Sequence, residues 1–398
     1  MSNDFSNVVR QHWANTIQDN LEKTLVCMEL ADVVDIQDGT TKNLPSVSFQ
    51  PTVDYTKYTD VTFKDAKTGN DQLVINTTPM VPFNIDELDM EDNYIKMSPE
   101  LTRNASYMLK SRIDGDFFAE VLNAKWKYDN AGVGVNAGTL TPIALVTGAS
   151  ENVSTVFGTA KAALTNSGAN ADNLAMVIDS FTAVKLTTLG LSTDGVSAES
   201  YRRGFRGTFG GMPVYEASNL TSTTTLDLAT NPTAGDYIYI QGVKFTFVAS
   251  VGTTAGNVLI GASADATAQN LVAAVNGAAG AGTTYVELSA DDRATLSRVT
   301  ATDGTDLVTF SSKSGALLAS SSMTAAANDF QAQTINCAIM EKGAIKMALR
   351  DSVRIKQVSE TKNLVENFMV WARYGLKTPV RGKERMVRIA IQSAAAEA

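Results

Sequence analysis

Histidine is almost missing from this chain: its 398 residues hold one, His12. Without a second histidine, neither a His-rich zinc site nor an HExxH arrangement can be built. His12 lies beside Trp13 with no orienting carboxylate or nucleophile in a recognisable motif, and so reads as a helix-surface residue. Cysteine is nearly as scarce. Cys27 and Cys337 stand far apart in apolar surroundings, which excludes a disulfide framework and points to two buried thiols in a reducing compartment. There is no GxxxxGK[ST], and the glycines of "GFRGTFGG" do not have the Rossmann spacing between strand and helix. No catalytic, cofactor or metal site is expected, and no enzyme.

Positive charge is also short. Lys and Arg total 33 against 42 Asp and Glu, a formal net charge of −9, which excludes a protein that wraps tightly onto phosphate backbones. No apolar run reaches the length of a bilayer span. The opening "MSNDFSNVVRQHWANTIQDN" has no basic n-region and no long apolar stretch of a signal peptide, so a soluble chain made in the cytoplasm is the expectation. Its four N-x-[ST] sequons, at Asn76, Asn104, Asn152 and Asn219, then carry no meaning.

What is present is ordinary globular material, 44% hydrophobic and 19% charged, long enough for two or three folding units. Val8, Val9, Trp13, Ile17, Leu21, Leu25 and Met28 recur at helical steps through residues 4–32. Between 33 and 93, short alternating runs such as "VSFQPTVDY" and "DQLVINTTPMVPFNI" predict two long β-arms joined by a polar tip, with too few apolar side chains for a private core. From Ser98, an N-cap followed by Pro99, apolar spacing runs through Leu101, Leu109, Phe117 and Trp126 and predicts one helix to Asn130, about 45 Å long. A helix (150–170), a buried strand (173–179), a second helix (180–190) and a glycine-rich loop leading into a strand (201–218) read as an α/β subdomain.

After Asn219 the composition turns to Ala, Thr, Gly and Ser, yet "DYIYIQGVKFTFVA" predicts a hairpin turning at Gln241-Gly242 and "ATAQNLVAAVNGA" a helix. "TTYVELSA", "LSRVTAT" and "DLVTFSS" predict three strands, with Tyr237, Tyr239, Phe245 and Phe247 supplying a small core. This is a self-contained segment interrupting its host. The host resumes with "NCAIMEKGAIKMALR", a strand and short helix, and then long strands at "SVRIKQVS", "NFMVWARYGL" and "RMVRIAIQ".

Charged clusters are few. "IDELDMED" (Asp86, Glu87, Asp89, Glu91, Asp92) lacks EF-hand spacing and reads as solvated acids or as salt-bridge partners for a neighbouring subunit. Arg202, Arg203 and Arg206 in "YRRGFRG" fit either a small-anion or nucleic-acid site or a protein interface. "KTPVRGKERMVR" reads as a solvated turn, as do the lysines Lys42, Lys57, Lys64 and Lys67 of the β-arms.

In this order of parts, the chain resembles the major capsid proteins of tailed double-stranded DNA phages, an α+β HK97-like fold. The resemblance assigns 1–32 to an N-terminal arm, 33–93 to an extended hairpin (E-loop) and 94–150 to a spine helix and peripheral (P) domain. It assigns 151–218 to the first part of the axial (A) domain, 219–335 to a small, mostly-β inserted domain, and 336–398 to the returning A- and P-domain strands. It implies pentamers and hexamers of this chain, forming an icosahedral head around packaged DNA bound without sequence preference, assembled in the host cytoplasm. A portal protein, decoration proteins and, since no charged scaffolding segment precedes the arm, a separate scaffolding protein are the implied partners. Trp13, Lys57, Lys64, Asp86, Glu87, Asp89, Arg202, Arg203 and Arg206 become candidate intersubunit contacts. A phage tail or neck protein is the alternative reading, and a surface adhesin a weaker one. The physical reading is parallel: a β-arm without a core and a long amphipathic helix are surfaces that copies of the same chain can cover.

Overall fold

A computed structural model describes residues 26–34, 36, 39–47, 52, 54–60, 65, 68–86, 97–137, 140–145, 153–188, 205–359 and 365–392. They belong to two compact units. One is built from Thr77–Lys110 and Asp351–Arg373, the other from Lys23–Asn76, Ser111–Arg350 and Tyr374–Ala398.

The chain enters through a single helical turn, α1 (Cys27–Leu30), and a two-residue strand, β1 (Asp32–Val33). β2 (Thr41–Val47) and β3 (Thr68–Val74) then pair antiparallel, Thr41 opposite Val74 and Val47 opposite Thr68. The predicted arm "DQLVINTTPMVPFNI" is divided. Its first half is β3; past Pro79 the chain starts β4 (Met80–Asp86), which pairs with a strand near the C-terminus instead of prolonging the hairpin. The predicted helix exists but is shorter. α2 (Met97–Ala119) has 23 residues, about 35 Å, and tightens into a 3₁₀ turn at Glu120–Asn123. Trp126, expected on the helix, lies in β5 (Trp126–Asp129), because the central sheet recruits this stretch; β5 turns through Gly132, at φ 94°, into β6 (Gly132–Val135).

Next come α3 (Val153–Asn166), the fully buried β7 (Leu174–Ile178), α4 (Ser180–Thr188), β8 (Phe205–Phe209) and β9 (Met212–Glu216). Part of the expected glycine-rich loop is thus a hairpin strand. The 219–335 segment supplies β10 (Ser222–Leu228), β11 (Tyr237–Ile240), β12 (Val243–Val248) and β13 (Asn257–Leu259). It continues with α5 (Ala264–Asn276), α6 (Ala290–Thr295), β14 (Val299–Asp303), β15 (Leu307–Ser312), β16 (Ala319–Ser322) and β17 (Asn328–Phe330). The β11–β12 turn is the expected one, with Gln241 at φ 51° and Gly242 at 81°, the double positive φ of a type I′ turn. α5 is capped by Ser263, whose side chain accepts from the Ala266 N–H, and closes on left-handed Gly277. "TTYVELSA" is no strand: it makes isolated bridges at Tyr285 and then the Ser289 cap of α6.

The core of this segment is its own. Ile238, Ile240, Phe245, Phe247, Leu271, Val275, Val308 and Phe310 are buried together. The expected contribution of Tyr237 and Tyr239 is corrected by the two-residue period: Ile238 and Ile240 point inward, which turns both tyrosines to the other face. The outer edge of β14 is not bare. The Asn276 amide donates to the Ala301 carbonyl (2.7 Å) and accepts from the Ala301 N–H (2.9 Å).

The last strands close the architecture: β18 (Thr334–Glu341), β19 (Lys346–Ser359), β20 (Val365–Lys377) and, after the short α7 (Val380–Glu384), β21 (Met386–Gln392). "KMALR" is strand and not helix. After a turn at Gly343 (φ 83°) it opens β19, with Lys346 and Met347 paired to β1. In the larger unit the strands run β14-β15-β10-β18-β21-β5-β6. One edge of β18 is shared: Thr334 and Ile335 pair with β10, while Ala338–Glu341 pair with β7. The 219–335 segment therefore continues the sheet of its host through backbone hydrogen bonds. In the smaller unit, Val81 and Phe83 of β4 pack with Val370, Ala105 and Leu109, and the Phe83 and Phe368 rings stack at 5.2 Å.

Candidate assembly interface

Among the described residues the β2–β3 hairpin is exposed along most of its length, and its base is secured. There Leu73 and Ile75 are buried with Ile36 and Ala348. The Arg350 guanidinium donates to the Gly39 carbonyl (2.7 Å), and the Val380 N–H donates to the Asp71 carboxylate (3.0 Å). Gly375 of β20 lies so close to the hairpin that a Cβ there would run into the Val74 carbonyl. Toward the far end, Tyr55 and Tyr58 are 69% and 88% exposed, with the Lys57 ammonium 5.0 Å from the Tyr58 ring centroid. A two-stranded ribbon with bare aromatics has little reason to persist in water by itself.

The C-terminal third of α2 is the opposite kind of place. "IDGD" puts two carboxylates and a glycine amid the apolar residues Ile113, Phe117 and Phe118. Asp114, fully buried, accepts from the backbone N–H groups of Val26 (3.0 Å) and Cys27 (2.8 Å) and from the Asn219 amide (3.0 Å). Burial raises its carboxyl above the ordinary aspartate range, against the lowering effect of those donors. Burial, with Asp114 close by, likewise pushes the Cys27 thiol up, which leaves it unreactive. Both cysteines are buried and unpaired, as expected. Asp116 points elsewhere: it accepts from Arg298 (2.6 Å) and from the Tyr374 hydroxyl, while Arg298 also donates to the Lys313 carbonyl (3.0 Å). At Gly115, a Cβ would collide with that same carbonyl.

Of the residues singled out from sequence, Trp13, Lys64, Glu87, Asp89, Arg202 and Arg203 lie outside the described residues. Asp86 ends β4 and Arg206 sits in β8, while Lys57 is exposed on the hairpin. "KTPVRGKERMVR" is more than a solvated turn: Arg385 pairs with Glu341 (3.2 Å), and Arg388, donating to Asn336 (2.7 Å), is lowered to about 10 by burial. Sequence reasoning passed over Asp114, Asp116, Asn219, Arg298 and Gly375; the one signal available was a glycine between two acids inside an apolar helix. Among the described residues no group of three or more His, Cys, Asp or Glu could hold a metal ion, and no helix is long and apolar enough to cross a membrane.

Several solved structures align with this chain along nearly its whole length. A structure from Mycobacterium phage Che8 matches over 97% of this chain and 98% of its own, at TM-score 0.53 and 12% identity. The capsid structure of the cyanophage P-SCSP1u matches over 99% and 96%, at TM-score 0.54 and 10% identity. The asymmetric unit of the bacteriophage PhiM1 mature capsid matches over 97% and 93%, at TM-score 0.51 and 9% identity. This chain has a phage-capsid fold. No family model and no curated protein matches its sequence. The aligned residues make up 97–99% of this chain and 93–98% of the three structures.

Proposed function

We propose that this chain is the major capsid protein of a tailed double-stranded DNA phage, with an HK97-like arrangement. In that arrangement α2 is the spine of the peripheral domain, the β2–β3 hairpin an E-loop, the sheet around β7 and β18 the axial domain, and 219–335 an inserted domain. Copies assemble into pentamers and hexamers that close an icosahedral head around the genome. The observation that carries the reading is the end-to-end likeness to phage capsid structures, 93–99% of both chains in the two that are named as capsids. The exposed hairpin supports it, because a ribbon fixed at its base and lacking a core gains its burial from a neighbouring copy.

In this role the chain's partners are other copies of itself, a separate scaffolding protein, a portal protein at one vertex and decoration proteins outside. The net charge of −9 suits a wall that does not hold the DNA it encloses. The chain supplies contacts and no chemistry.

Expressing it with a candidate scaffolding protein and imaging the product by electron microscopy tests the proposal. Closed icosahedral particles are expected, and deletion of residues 40–80 should abolish them. Tubes or isolated rings would favour a tail or neck protein. A monomer at every concentration, with or without the scaffold, overturns the reading.

A further inference from the structure

One turn of α2 holds three distant parts of the chain. Asp114 binds the backbone of α1, where the N-terminal segment joins the body, and through its other oxygen the amide of Asn219, where the 219–335 segment begins. Two positions on, Asp116 binds Arg298 from within that segment and Tyr374 of β20. Side chains at i and i+2 leave a helix on different sides, so the helix is gripped from both. Between the grips, the Lys313 carbonyl passes over Gly115 at a distance that only a missing Cβ allows, and Arg298 ties down that carbonyl too (3.0 Å).

We propose that Asp114, Gly115 and Asp116 form a two-sided latch that makes the 219–335 segment and the root of the N-terminal segment release together. The segment is held to the helix at Asn219 on one side and at Arg298 and Lys313 on the other. Lifting it at Arg298 draws Asn219 away from Asp114, whose carboxylate then loses the donor opposite Val26 and Cys27. A group as deeply buried as Asp114 does not keep a half-satisfied carboxylate dry; water follows, and α1 loosens. The 219–335 segment is therefore coupled to α1, and whatever binds or pulls the one is felt by the other. The inference concerns contacts within a single chain and is independent of the capsid reading.

Cys27 is a built-in reporter for the α1 side, and the equally buried Cys337, on β18, an internal reference. The test is the rate of thiol alkylation in the intact chain, resolved by peptide mass spectrometry, with no denaturant. Arg298→Met removes the cation from Asp116 at similar length; Gly115→Ala drives a methyl at the Lys313 carbonyl while improving helix propensity. Neither touches Cys27. Each variant should label Cys27 about tenfold faster or more, the scale of one lost charge-assisted hydrogen bond, with Cys337 unchanged. Asn219→Leu should do the same from the near side. Parental Cys27 rates in both Arg298→Met and Gly115→Ala overturn the latch, and so does a rise of both thiols in step, which reports global loosening. Should one of the two fail to fold, the other decides.

Discussion

At the scale of residues, the most consequential group is Asp114, a fully buried carboxylate whose described partners are two backbone N–H groups, one side-chain amide and the Cys27 thiol. Asp114→Ala leaves those donors facing a void and should cost roughly 2–4 kcal/mol, visible as a lower Tm. Asp114→Asn keeps an oxygen for Val26 and Cys27 and, with the Asn219 amide turned over, should retain most of the stability. The two forms should differ in pH dependence. Burial raises this carboxyl in the folded chain, so its contribution is full below the ordinary aspartate range and is lost as pH climbs through the raised value. Thermal melts of the parent against Asp114→Asn across the acid range should show the parent gaining relative stability on acidification. The helix around Asp114 was legible from its apolar spacing. Its partners were not, because they lie 87, 88 and 105 residues away in sequence, and no local pattern encodes such a meeting.

At the scale of elements, the hairpin shows how a strand elsewhere can aim a ribbon. Gly375 lets β20 pass against the Val74 carbonyl, and Arg350 and Val380 fix the two sides of the base. Gly375→Val should redirect the ribbon more than it unfolds the protein: a folded circular-dichroism spectrum, a Tm lowered by a few degrees, and no particles by sedimentation or microscopy. Elements that carry their own local signals were readable, among them α5 with its Ser263 and Gly277 caps and the Gln241-Gly242 turn. Others were settled by neighbours. Lys346–Arg350 is made of good helix formers, yet it becomes strand because β1 offers Lys346 and Met347 a partner, the ordinary defeat of propensity by tertiary pairing. Trp126 left the helix for the same reason, drawn into register with Val387 of β21.

At the scale of the whole molecule, the fold reaches its observed likeness at 9–12% identity, so its determinants are burial pattern and strand order and not particular residues. That is why the order of parts could be read from the chain while candidate contacts such as Lys57 gained no described partner beyond the ring of Tyr58. If the ribbon seats on another copy, its bare aromatics belong to that contact. The pair Tyr55→Ser and Tyr58→Ser should leave the Tm of the unassembled chain within about 1 °C, since surface changes of this kind are nearly neutral. The same pair should raise the protein concentration at which particles first form in light scattering. Asn276 has a further bearing on such crowding. In the proposed shell, copies would stand flank to flank, and an open lane of amides and carbonyls would be a place where a stray ribbon could zip on. By parking one carboxamide on Ala301, the protein spoils that lane and keeps wrong marriages between neighbours from starting there.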